Sequence, residues 1–166
     1  MAASTQEPII TARLILRQIQ ASDSEAVFAF MSLPSVMRYT ERTSGPNIYN
    51  FAVCLKDTTN TVIGLLGSPS FPEIGYLFSP TYAGKGYATE ALLAFTPALF
   101  AAMPVEQTFA EAHVDLENVA SLKLLERCGW QKWGEVEERA YTSPLLGLRD
   151  SVCYRIAREG HELEDL

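Results

Sequence analysis

Apolar and polar residues alternate through RLILRQI at residues 13–19, the period-two pattern of a strand with one buried face. The period then changes: Val27, Phe30 and Met31 share one helical face, and Ser22 with Glu25 has the capping-box spacing that opens a helix. Pro34 ends that helix, and SVMRYT predicts a shorter one. Residues 42–47, with Gly45-Pro46, read as a turn or loop. YNFAVCL and TVIGLLG are β-rich runs joined by the polar KDTTN, a hairpin pattern, and EIGYLF is a further strand closed by Ser79-Pro80. From Gly86 onward Ala88, Ala91, Leu92, Phe95 and Leu99 recur at helical spacing, with Pro97 expected to remove one backbone bond and kink the helix near its end. TFAEAHV predicts another strand. Asn118 then caps a helix over VASLKLLERC, and Gly129 stops it. KWGEVEERAY and RDSVCYRIA are the last two strands. Without an internal repeat, low-complexity segment or linker, the chain reads as one α+β domain over residues 1–166, with 1–8 and 160–166 flexible.

Composition narrows the function. A chain of 166 residues, 48% of them apolar, can fill one core. Twenty acidic residues against thirteen basic ones give a net charge of −7, which disfavours a nucleic-acid partner. MAASTQEPII lacks the charged-then-apolar layout of a secretory signal, and the apolar stretch at 91–105 is interrupted by Thr96, Pro97 and Pro104 and too short to span a bilayer. Cys54, Cys128 and Cys153 are odd in number and scattered, with no Cys or His at ligand spacing. A cytoplasmic protein without a metal or a membrane partner is expected.

The stretch YAGKGYATEA, residues 82–91, sets Gly84, Lys85 and Gly86 directly ahead of the Pro97 helix. The first N–H groups of a helix have no carbonyl partner inside it, and glycines let a bulky anion approach them. The helix dipole adds about 0.3–1 kcal/mol, and each charge-assisted bond to a phosphate oxygen roughly 1.5–3 kcal/mol. Lys85 is either a further cation or a solvated surface lysine, and the stretch alone is either a phosphate cradle or an ordinary turn. A nucleoside-triphosphate loop would need glycine where Ser79 stands and Ser or Thr where Gly86 stands. A dinucleotide fingerprint would need its third glycine at Thr89. An acyl-coenzyme A loop, in which a strand feeds a Gly-rich turn that opens a helix, meets neither objection.

With its downstream segment included, the chain resembles the GNAT superfamily of acyl-CoA-dependent N-acetyltransferases, most closely the branch with ribosomal-protein N-terminal acetyltransferases. TARLILRQIQASDSEAVFAFMSLPSVMRYT is similar to that branch's opening strand and helices. VIGLLG and EIGYLFSPTYAGKGYATEA resemble its central strands and coenzyme loop, VDLENVASLKLLERCGW its second motif, and RDSVCYRIA its last strand. The resemblance implies a mixed, mostly antiparallel central sheet of about six or seven strands, flanked by helices, with a splayed central strand pair. It implies acetyl-CoA as co-substrate. The family's Q/R-x-x-G-x-G/A turn falls on Ala83, Gly84, Lys85, Gly86, Tyr87 and Ala88, with Ala83 in place of Gln or Arg, and the nest of amides runs on to Thr89. The pantetheine arm would bond the exposed edge of EIGYLF, a ligand acting as surrogate strand, with Leu77 and Phe78 nearest the thioester. Asn118 would contact that arm, act as a plain N-cap, or do both. Many relatives carry a tyrosine that protonates the departing thiolate; this chain has Leu125 there. The resemblance therefore passes the acid role to Ser121 of the branch's N-x-x-S pattern, with a structural role as the alternative.

The implied reaction is direct attack of a neutral amine on the thioester, without a covalent enzyme intermediate; Cys128 has no histidine near it in sequence. Glu73, at the start of the splayed strand, is the candidate base, acting through water. Glu111 and His113 share a face of the next strand and are its rivals, and all three also have ordinary surface or packing readings. Neutralising an α-amine of pKa about 7.8 at pH 7 costs about 1 kcal/mol, against about 4.6 for a lysine near 10.4. The expected acceptor is therefore a peptide N-terminus or small amine, met by the first helices and the loops at residues 39–47 and 141–148, with Tyr39 and Tyr141 as contacts. A non-catalytic coenzyme A-binding sensor or scaffold is the alternative, and a dinucleotide module a third. The chain is expected as a monomer or homodimer.

Overall fold

The structure, a computed structural model, describes residues 6–40, 49–56 and 61–163. The alternating run near the start forms β2 (Leu14–Gln18), with Leu14 and Leu16 fully buried, and a two-residue β1 (Ile9–Ile10) pairs against it. The hairpin is β3 (Tyr49–Leu55) with β4 (Val62–Ser70), antiparallel. The polar connection expected between them covers residues 57–60, which lie outside the described residues, as does the loop expected at 42–47. β5 (Glu73–Phe78), β6 (Phe109–Asp115), β7 (Gln131–Ser143) and β8 (Gly147–Ala157) complete one eight-stranded sheet in the order β1-β2-β3-β4-β5-β6-β8-β7. The eighth strand is β1, too short for an alternation to announce it.

Helices cover both faces. α3 (Tyr87–Ala102) and α4 (Val119–Arg127) pack Ala91, Leu92, Phe95, Leu99, Leu124 and Leu125 against Leu14, Leu16, Phe51, Val53, Ile63 and Ile74. α1 (Ser24–Met31) and α2 (Pro34–Met37) cover the other face, where Phe30 joins Ala52, Cys54 and Val62, with Val27 and Met31 packed alongside. The strand pleat explains the division: Phe51 and Val53 point to one layer, Ala52 and Cys54 to the other. Each fully buried Leu or Phe contributes about 1.5–3 kcal/mol. The expected Ser22–Glu25 capping box is not the one that forms. A 3₁₀ turn at Ala21–Asp23 precedes α1, and buried Asp23 accepts the Gln20 N–H at 2.8 Å while pairing with Arg17 at 2.8 Å. An arginine on the neighbouring strand, invisible to local spacing, fixed that choice. α3 continues through Pro97 to Ala102; the Leu93 carbonyl that Pro97 cannot serve belongs to an exposed residue.

All neighbouring strands run antiparallel except β5 and β6, which are parallel and share a single register pair, Glu73 with Glu111. The Glu111 N–H donates to the Pro72 carbonyl at 3.0 Å, and beyond that point the strands part. β6 spends its other edge on seven pairs with β8, and β5 its other edge on β4. A Cβ at Gly64 would stand 2.5 Å from the Phe78 ring and 2.7 Å from the Leu77 carbonyl oxygen, so a glycine here lets β4 hold β5 close and away from β6. Among the described residues no helix is long and apolar enough to cross a membrane.

Candidate active site

The glycine turn is shaped as a nest. After a short 3₁₀ turn at Pro80–Tyr82, Ala83 donates its N–H to Pro80, and Gly84 and Gly86 then adopt φ of 73° and 79°. A side chain at either position would be strained by about 1–2 kcal/mol. The first helical bond runs from Glu90 N–H to the Gly86 carbonyl. Among the described residues no backbone carbonyl accepts from the N–H groups of residues 84–89, so six consecutive donors stand open at the start of a sixteen-residue helix.

Two arginines that sequence reasoning passed over flank this turn. Arg13 donates from Nη1 to the Lys85 carbonyl at 2.9 Å, pairs with Glu90 at 2.6 Å, and lies 4.6 Å over the Tyr87 ring. Arg127 donates to Thr89 Oγ1 at 3.2 Å. Burial raises the Glu90 pKa, but the Thr11 hydroxyl, the Arg13 N–H and the Arg13 side chain together hold it below the usual range. The carboxylate in the first turn of α3 is thereby occupied rather than turned against an incoming anion. Lys85 sits 5.4 Å from the Tyr82 ring.

Between the parted ends of β5 and β6 lies a cavity of about 560 Å³. It brings together Glu73, Leu77, His113, Asn118 and Ser121 from the predicted set, with Tyr39 and Tyr141 at its wall. Phe78 is not in the lining: it faces the α3 layer and stacks 6.2 Å from Tyr76, whereas Leu77 faces α1. Residues 83–89 stand outside the lining as well. Asn118 is a working N-cap, accepting the Ser121 N–H at 3.3 Å. Leu125 is wholly buried in the core.

The three candidate bases are differently placed. Glu111 is committed to Arg155 at 2.9 Å, whose guanidinium lies between Phe109 and Trp133. His113 stands between carboxylates, 3.6 Å from Glu111 and 3.9 Å from Glu137. Glu73 enters the cavity from the parting point itself. Glu111, His113 and Cys153 also bring donor atoms within 4.8 Å of one another, but Arg155 already supplies that cluster's cation. The cysteines are poor nucleophiles: burial raises the thiol pKa of Cys54, Cys128 and Cys153, the last to about 11.

One buried cluster escaped the sequence reading. Asp115, its side chain fully enclosed, accepts from Tyr141 at 2.6 Å, from Arg149 at 2.8 and 3.0 Å, and from the Glu117 N–H at 2.8 Å. Burial pushes the Asp115 pKa up, and the Arg149 and Tyr141 hydrogen bonds more than reverse it. Residues 141–148 are accordingly the end of the β7–β8 hairpin rather than a loop, and the Tyr141 hydroxyl is spent on Asp115. The alternation of FAEAHVD held the signal: it places Glu111, His113 and Asp115 on one face of an interior strand.

Comparison with known proteins gives a consistent picture. A sequence model described as an acetyltransferase (GNAT) domain matches residues 40–131. The uncharacterized N-acetyltransferase YoaA of Bacillus subtilis is 30% identical over 159 residues, covering 81% of this chain and 89% of its own. Among solved structures, an acetyltransferase (GNAT family) from Bacillus anthracis superposes with a TM-score of 0.77 at 26% identity, over 91% of this chain and 98% of that one. RimL, a ribosomal α-N-protein acetyltransferase in complex with coenzyme A, superposes with a TM-score of 0.73 over 91% and 98%; at 17% identity it shares the fold.

Proposed function

Because the chain belongs to the GNAT family of acetyltransferases, which transfer acyl groups from acetyl-CoA, we propose that its acceptor is a primary amine of low pKa, a peptide N-terminus or a small amine, attacking directly. The observations that carry this reading are the row of open amides at 84–89, in the turn that follows β5, and the carboxylate-lined cavity where β5 parts from β6. Acetyl-CoA supplies the activated thioester. The amides of residues 84–89 hold its diphosphate, with Arg13 and Arg127 adding positive potential at the helix start. The free edge of β5 from Ile74 to Phe78 offers backbone groups to the pantetheine arm, and Leu77 gives it an apolar wall. Glu73 takes the amine's proton through water, because its side chain lines the cavity where β5 parts from β6, whereas Glu111 stands outside that lining. Glu73 and Glu137 make the acceptor side attractive to a cation before it is deprotonated. RimL, with its ribosomal α-N-protein acceptor, offers a precedent for this amine class on this fold.

Acetyl transfer to peptides with free and with blocked N-termini, read by thiol release, tests the acceptor class. Blocking the N-terminus is expected to remove most of the turnover, and modification confined to lysine side chains would refute the assignment. A second reading, a coenzyme A-binding scaffold without catalysis, draws on the core leucine at 125 and on Ala83. It predicts affinity for acetyl-CoA with no thiol released to any amine.

A further inference from the structure

Tyr76 stands on β5 with its side chain on the α3–α4 side and lines the cavity together with Ser121 and Asn118. Its hydroxyl oxygen is buried and, among the described residues, has no hydrogen-bond partner. Burial pushes the phenol up to about 12, and Ser121 is near enough to temper that shift, although no hydrogen bond of ordinary geometry joins the two. A buried donor left unpaired is a standing cost to the fold, and native proteins seldom carry one without a use. Ser151 Oγ is also unpaired in this cavity, but it sits on β8, opposite Glu137 and Asp115 and away from α4.

We propose that the Tyr76 hydroxyl is the hydrogen-bond donor to the sulfur that departs from the thioester, a role that rests on the acetyl-transfer reading above. The amine nitrogen forms its bond to the acetyl carbonyl carbon, the C–S bond breaks, and its electron pair goes to sulfur. Tyr76 donates to that sulfur and keeps its own proton. The amine's proton leaves toward Glu73 and water, and the coenzyme thiolate takes one from solvent once released. The phenol suits this task because burial keeps it neutral at working pH, so a donor is present in every turnover. Ser121, whose N–H is held by the Asn118 cap in the first turn of α4, lines the same cavity as the phenol. Leu125, sealed in the core, cannot supply a donor.

The test compares wild type with Tyr76→Phe in three measurements. The unliganded variant should melt no lower than wild type, because only an unpaired hydroxyl is lost. Its kcat should fall roughly 10²-fold while KM for acetyl-CoA stays within about threefold. With the selenoester analogue of acetyl-CoA, whose selenolate leaves with little need of a donor, the defect should shrink about tenfold. A lower melting temperature would show that the hydroxyl has a structural partner and overturn the proposal. So would wild-type turnover in the variant, or an equal defect with both donors. If wild type binds acetyl-CoA but releases thiol to no amine, the acetyl-transfer reading itself falls and takes this role with it.

Discussion

Replacing Gly86 by glutamate is expected to weaken acetyl-CoA binding at least 10²-fold by calorimetry, on the order of losing two charge-assisted N–H bonds at roughly 1.5–3 kcal/mol each. The new carboxylate would sit among the open amides and against the Arg13 guanidinium, whose Nη2 is 3.5 Å from the place a Cβ would take. It would repel the diphosphate and also neutralise the nearest cation. Strain has to be separated from charge, because any side chain at φ 79° costs about 1–2 kcal/mol of stability. Gly86→Ala supplies that control: it should melt a few degrees lower yet bind within a few-fold of wild type. Equal affinity in wild type and Gly86→Glu would remove the coenzyme assignment from this loop.

The second large effect concerns stability. Asp115→Asn should cost about 3–5 kcal/mol, the usual penalty for breaking one side of a buried charged network. Tyr141 and the Glu117 N–H would lose a charged acceptor, and Arg149 would keep only Glu117. For a chain of this length that is a fall of roughly 6–20 °C in melting temperature. The pH dependence has a definite sign. The folded Asp115 pKa is depressed, so its contribution is complete above the unfolded carboxylate's range, about pH 4, and is lost as pH falls through the folded value. Melts from pH 7 downward should show wild type and variant converging only in that acidic window. A constant gap across the whole range, or none, would contradict the network account.

The legible parts of this protein were those in which neighbours along the chain decide the outcome. RLILRQI, the β3–β4 hairpin, the Ala91–Leu92–Phe95–Leu99 stripe and the Asn118 cap all form where local period and capping chemistry put them. The nest at 84–89 was legible for the same reason, since two glycines and a helix start lie within six residues. What escaped depends on side chains that meet between one element and another. Arg17 reaches Asp23 and displaces the expected Ser22 cap; Arg13 reaches Lys85 and Glu90 across more than seventy residues. Asp115, Tyr141 and Arg149 meet only once β6, β7 and β8 lie side by side. Tyr76 looked like an ordinary aromatic core position in EIGYLF, and only its buried, partnerless oxygen sets it apart.

The account stands on the open amides, and amide-resolved NMR during a coenzyme titration measures them directly. The backbone N–H resonances of residues 84–89 should shift together and saturate with the calorimetric affinity for acetyl-CoA, while adenosine lacking the diphosphate leaves them in place. Coenzyme binding reported by resonances elsewhere, with those six amides unmoved, would contradict it.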